Sequence, residues 1–123
     1  MTRARIDLGK LGEDLAVKKI KELGYQYITR NYRCALGEID LIARDGDCLV
    51  FLEIKTRKGR SIGYSKEAID YRKRRQISKV ALTYMKAHHC FDIRSRFDVI
   101  AISIMNGKAE IEVITNAFEL AYE

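Results

Sequence analysis

Apolar positions recur along this chain first with a helical period and then with the period of strands. Leu8, Leu11, Leu15, Ala16, Ile20 and Leu23 fall at helical spacing, with Lys18, Lys19, Lys21 and Glu22 largely elsewhere. The pattern predicts an amphipathic helix over 8–23, stopped by Gly24. Residues 25–33 are aromatic and β-branched enough for a strand. Two further strands, 38–44 and 48–56, flank Asp45-Gly46-Asp47, a hairpin signal. Gly59 and Gly63, set among basic residues, predict a mobile loop over 57–65. Helical spacing returns over 66–89, with Ile77, Val80, Ala81, Tyr84 and Met85 on one face. Arg72, Arg75, Lys79 and Lys86 form a stripe nearly opposite that face. Residues 96–104 read as a buried strand, Asn106-Gly107 as a tight turn and 109–115 as the returning strand. The order α-β-β-β-α-β-β predicts one α/β domain, a sandwich around a mixed sheet.

Composition narrows the class. The chain has 123 residues, 47% hydrophobic and 33% charged, a globular mixture. Apolar runs are only a few residues long, so no membrane span is expected. The N-terminus, Met1-Thr2-Arg3-Ala4-Arg5-Ile6-Asp7, lacks the apolar stretch of a secretory signal. Cys34, Cys48 and Cys90 are odd in number and show no Cys-x-x-Cys spacing, which argues against a disulfide framework or zinc site and fits a reducing cytoplasm.

The formal net charge is +6, and it is unevenly placed. Residues 55–79 hold ten Lys or Arg against Glu67 and Asp70, a net +8, which leaves −2 for the other 98 residues. A polarised distribution of this kind is what a phosphate-backbone footprint looks like, although a solvated helix face and loop would look the same.

The chemistry concentrates on the central hairpin. Glu38 and Asp40 are two apart on one strand and project from one face, as do Glu53 and Lys55 on the next. A Gly46-Asp47 loop sets Asp40 opposite Glu53 and Glu38 opposite Lys55. An Asp45-Gly46 loop sets Glu38 opposite Glu53 instead. Both registers keep the four groups together, whereas a three-residue loop breaks the parity. Carboxylates held roughly 5 Å apart at Cβ among Leu41, Ile42, Phe51, Leu52 and Ile54 repel unless protonated or bridged by a cation. All-oxygen ligands suit Mg²⁺ or Mn²⁺. Lys55 then orients or activates the attacking water, or stabilises developing charge on a phosphate. The plain rival is a solvent-facing Glu38–Lys55 ion pair.

Asp40, twelve residues, then Glu53-Ile54-Lys55 resembles the signature of the PD-(D/E)XK nuclease superfamily. Around it stand Gly12-Glu13-Asp14-Leu15-Ala16, Arg30-Asn31-Tyr32-Arg33, Gly37-Glu38-Ile39-Asp40-Leu41-Ile42-Ala43, Val50-Phe51-Leu52-Glu53-Ile54-Lys55-Thr56-Arg57 and Arg96-Phe97-Asp98-Val99-Ile100-Ala101. This series, spanning nearly the whole chain, resembles the YraN-like family of predicted endonucleases, itself similar to archaeal Holliday-junction resolvases. Ile39 stands where the superfamily's namesake dipeptide has proline, a departure that YraN-like sequences share.

The resemblance implies a restriction-endonuclease-like fold. It implies that Asp40 and Glu53 bind the divalent metal, with the Ile54 carbonyl and Glu38 as further ligands, Lys55 as catalytic lysine and Glu13 reaching the same site from the first helix. Asp98 resembles a structural or supporting residue. Lys73 matches a basic position of the family's second long helix.

The reading is a Mg²⁺- or Mn²⁺-dependent DNA endonuclease of the cytoplasm, acting on branched or distorted duplexes, with Arg57, Lys58, Arg60, Arg72, Lys73, Arg75 and Lys79 contacting the backbone by shape rather than sequence. A resolvase would need two sites, so a homodimer follows by analogy. The alternatives are a nucleic-acid-binding module with the same fold and little or no activity, or a scaffold whose acidic cluster is passive. His88-His89 end a helix and read as surface or core histidines. Cys48 and Cys90 read as buried thiols, and Tyr64 and Tyr71 are the aromatic candidates for base stacking.

Overall fold

The computed structural model describes the backbone of residues 3–59 and 69–120, with side chains from Asp7 onward. Its elements run α1 (Arg3–Glu22), β1 (Gln26–Cys34), β2 (Gly37–Asp45), β3 (Cys48–Lys58), α2 (Tyr71–Ala87), β4 (Ser95–Met105) and β5 (Lys108–Phe118). The expected order stands, with α1 beginning earlier and β5 running longer than their apolar periods suggested. Most of the expected loop over 57–65 and the expected helix start at 66–68, with Arg60 and Tyr64, lie outside the described residues. Helix α2 begins at Tyr71 because Asp70 caps it: its side chain accepts from the Lys73 backbone N–H over 2.9 Å.

The five strands form one mixed sheet in sequential order, with β3 and β4 parallel and the other neighbours antiparallel. The β2–β3 connection is the two-residue Gly46-Asp47 turn, with Asp45 paired to Cys48 and the ladder continuing to Leu41 opposite Leu52. Gly46 takes φ +60°, a conformation that costs glycine little.

A helix covers each face. Leu49, Phe51, Phe97 and Val99 pack with Ile77, Val80, Ala81 and Tyr84 of α2. The alternate positions Val50, Leu52, Ile100 and Ile102 pack with Ala16 and Ile20 of α1. The central strands are therefore buried on both sides, which is why they read as continuous apolar runs. On α1, Gly12 allows close approach to β3, since a Cβ there would collide with the Thr56 hydroxyl.

One local irregularity matters for the chemistry. Residues two apart on a strand should share a face, yet Ile39 packs on the α2 side and Leu41 on the α1 side. Strand β2 turns over at Asp40. Its partner turns with it: Arg30 reaches α1, Tyr32 stacks edge-on against Tyr84 of α2, and Asn31 between them adopts φ +52°. The expectation that Glu38 and Asp40 project from one face of a regular strand fails here.

Candidate functional site

Because β2 turns over, the Asp40 side chain points along the sheet toward β3 rather than up from a face. The Ile54 backbone N–H donates to Asp40 Oδ2 over 2.8 Å. The regular pairing between the two strands ends one step before, at Leu41 and Leu52. A carboxylate thus substitutes for a backbone acceptor where the ladder stops.

Glu53 meets Asp40 there. It lies on β3, only 7% exposed, and shares a hydrogen bond with Asp40. Burial pushes the Glu53 carboxyl up to about 8, reinforced by the Asp40 charge, while Lys73 and, less strongly, Lys55 pull it down. Asp40 is raised too, mainly by burial, and is held back by the Ile54 N–H, by Glu53 and by Lys73. Both shifts run toward the protonated form, and the hydrogen bond between the two carboxyls favours the proton on Glu53, with Asp40 as acceptor.

Beside the pair, Leu8, Gly9, Glu13, Asp40, Ile54, Lys55 and Thr56 line a cleft of about 370 Å³. Glu13, Asp40 and the adjacent Ile54 and Lys55, from three elements of the chain, therefore meet at one place. Glu13 is already engaged: it accepts from Arg30 Nη2 at 3.2 Å and Asn31 Nδ2 at 3.1 Å, and Arg30 also pairs with Asp14 at 3.0 Å.

Glu38 faces a different partner, although its charge still reaches Asp40 and raises that carboxyl. Arg33 Nε donates to its Oε2 over 2.8 Å, so its ion pair in the structure is with Arg33 rather than the expected Lys55. The cause is the reversal at Asp40, which separates the two side chains. Among the described residues no three His, Cys, Asp or Glu side chains converge as a metal cluster. The donors that do converge are the two carboxylates, with the Ile54 carbonyl adjacent in the chain. Mg²⁺ typically takes only one or two protein carboxylates, and a buried pair that otherwise traps a proton is a fitting anchor for a hard cation.

The basic segment divides between two faces. Lys73 lies on the flank of α2 that faces β2, half-buried, and its charge acts on both carboxyls. Sequence reading grouped it with the backbone contacts; its helical phase relative to Ile77 and Val80 was the available signal. Arg57 and Lys58 are exposed at the end of β3. Arg72 and Lys79 are exposed on the far side of the helix, and Arg75 is half-buried against the Tyr71 ring at 6.0 Å.

A second polar cluster surrounds Asp98, the residue that the resemblance marks as structural or supporting; its partners Tyr25, Asp45 and Asn116 were not anticipated. Asp98, fully buried, accepts from Arg96 Nε at 3.0 Å and from the Asn116 N–H at 2.9 Å. Arg96 also donates to Asp45 at 2.9 Å and to the Tyr25 hydroxyl at 2.7 Å. These bonds tie the turn between α1 and β1, the hairpin, β4 and β5 together, away from the cleft. Cys48 and Cys90 are buried, and burial pushes the Cys90 thiol up. His88 stacks on Tyr84 at 4.1 Å.

No helix among the described residues is long and apolar enough to cross a membrane. Compared with known proteins, residues 12–102 match the family described as "Uncharacterised protein family UPF0102". The chain is 51% identical over 116 residues to a UPF0102 protein of Geobacter sulfurreducens, covering 94% of this chain and 91% of that one. It is 45% identical to one from Syntrophus aciditrophicus, covering 93% and 90%, and 41% identical to one from Clostridium kluyveri, covering 93% and 95%. With a family match across most of its length and relatives of nearly equal extent, the chain belongs to the UPF0102 (YraN-like) family.

Proposed function

We propose that this protein is a divalent-cation-dependent DNA endonuclease with a restriction-endonuclease-like sandwich. The observation that carries the reading is the buried Asp40–Glu53 pair, set where the β2–β3 ladder ends and opening beside a cleft shared by Glu13, Ile54 and Lys55. Asp40 and Glu53 would hold Mg²⁺ or Mn²⁺, with the Ile54 carbonyl as a further oxygen donor. The cation supplies Lewis-acid polarisation of the phosphodiester.

The chain's own groups do the rest. Lys55, on the cleft wall, orients the attacking water or offsets charge that develops on the phosphate. Lys73 limits the repulsion between the carboxylates from the α2 side. Glu13 shapes the cleft from α1, kept in position by Arg30 and Asn31. Arg57 and Lys58, continuing the strand beyond Lys55, meet the flanking backbone. Such an enzyme works on DNA in the cytoplasm, and a homodimer would present two clefts.

The test is incubation of labelled linear, flap and branched DNA with wild type, Asp40→Asn, Glu53→Gln and Lys55→Met, in Mg²⁺, Mn²⁺ or chelator. Metal-dependent cleavage lost in all three variants supports the proposal. Cleavage that survives Glu53→Gln or the chelator removes it. Tight binding of DNA with no cleavage favours the second reading, a binding module, which the engagement of Glu13 and Glu38 with arginines also suits.

A further inference from the structure

Helix α2 carries a row of cations that the cleft does not use. At about 100° per residue, Arg72, Lys79 and Lys86 lie within roughly 40° of one another. The buried Ile77, Val80, Ala81, Tyr84 and Met85 occupy the other side. Seven-residue steps separate the three cations by about 10 Å, or about 21 Å end to end. All three are exposed.

Among the described residues no carboxylate forms an ion pair with them. Arg30, Arg33, Arg94 and Arg96 each form an ion pair with a carboxylate. Arg72, Lys79 and Lys86 form none with the described residues, and α2 itself contains no Asp or Glu. The row and the carboxylate pair lie on opposite sides of a helix about 10 Å across. A phosphate group bound on the row is therefore not the one held at Asp40 and Glu53.

We propose that the outer face of α2 is a second phosphate-backbone seat, binding a duplex segment of nucleic acid distinct from the one in the cleft. The inference rests on the preceding functional reading only for the class of partner. Steps of about 10 Å are close to the roughly 12 Å width of the B-form major groove, so neighbouring cations reach phosphates on both of its lips. A lipid surface suits the row less well. Helices that lie on membranes spend an apolar face on the acyl boundary, and the apolar face of α2 is consumed by the core.

The experiment titrates a twelve-base-pair duplex, with chelator present, into the full chain, the triple variant Arg72→Gln/Lys79→Gln/Lys86→Gln and the cleft-side variant Arg57→Gln/Lys58→Gln/Lys73→Gln. Native mass spectrometry gives stoichiometry, and circular dichroism confirms that each variant is folded. Wild type should bind two duplexes per chain and each variant one. Loss of the row should lower the slope of log affinity against log salt by about 2.7, from three phosphate contacts.

A triple variant with unchanged stoichiometry and slope overturns the proposal. So does wild type that binds anionic vesicles and no duplex. Cleavage assays keep the two readings separate. A folded triple variant that still cuts short duplex but keeps both binding events sinks the second seat alone. Wild type that never cuts, yet loses one duplex in the triple variant, sinks the nuclease and leaves the seat standing.

Discussion

The backbone N–H of Ile54 donates to Asp40 Oδ2 over 2.8 Å, so a carboxylate occupies a rung that another strand would complete with a carbonyl. One side chain thereby closes the sheet's hydrogen bonding and opens a charged site. The two roles separate by substitution. Asp40→Asn keeps an acceptor for Ile54 and should leave stability in urea close to wild type. Asp40→Ala strands the N–H and should cost about 1–3 kcal/mol. Both should abolish the rise in melting temperature produced by Mn²⁺.

Glu53 sets the pH response. Its carboxyl is raised to about 8 when folded against about 4.3 when unfolded, so folding favours its protonated form. That contribution is fully present below the unfolded value and is lost as pH rises through about 8. Without metal, melting temperature should therefore fall from pH 5 to pH 9, and Glu53→Gln should flatten the curve. Divalent cations must displace the shared proton, so Mn²⁺ affinity measured by calorimetry should rise about tenfold per pH unit up to about pH 8.

The expected elements were legible because periodicity and turn chemistry agreed: Gly46-Asp47 gave one of the two even registers, and Ile77 through Met85 marked the inner face of α2. The site was legible as a set of residues more than as a geometry. Alternation placed Glu38 beside Asp40, but the reversal opposite Asn31 redirects Asp40 into the sheet and Glu38 onto Arg33. A single left-handed residue in a strand leaves no trace in hydrophobic periodicity. Charge counting found the basic segment, yet only the helix phase separates Lys73 from Arg72, and the Arg96–Asp98 clamp joins strands whose adjacency follows from topology.

Lys73 and Lys55 should therefore behave differently. Lys73 is prominent among the charges acting on both carboxyls, whereas at Glu53 the pull of Lys55 is weaker than that of Lys73. Lys73→Met should lower stability at pH 9 in the absence of metal, and a Glu53→Gln background should reduce that loss. Lys55→Met should change stability little while reducing cleavage at least a hundredfold if it serves as a catalytic group. A double-mutant cycle in denaturant measures the first claim.

Gly12 links packing to the cleft. An added methyl meets Thr56 on the strand bearing Glu53 and Lys55, and Glu13 follows it in sequence. Gly12→Ala should destabilise by about 1–3 kcal/mol despite better helix propensity. It should also reduce turnover without touching a carboxylate; a variant as stable and active as wild type would refute the close approach.

Arg96 should be a pure stability residue. Replacing it with Met leaves Asp98 buried without its cation, a loss of about 3–5 kcal/mol readable by urea denaturation. Cleavage per folded molecule should be retained, because the cluster lies outside the cleft lining.

The most direct test of the account is crystallographic: crystals soaked in Mn²⁺ at pH 8, with anomalous data collected for wild type and for Glu53→Gln. The expected result is a single strong peak at the Asp40 and Glu53 carboxylates, absent in the variant. A wild-type map without that peak, or with Mn²⁺ bound equally well after Glu53→Gln, would contradict it.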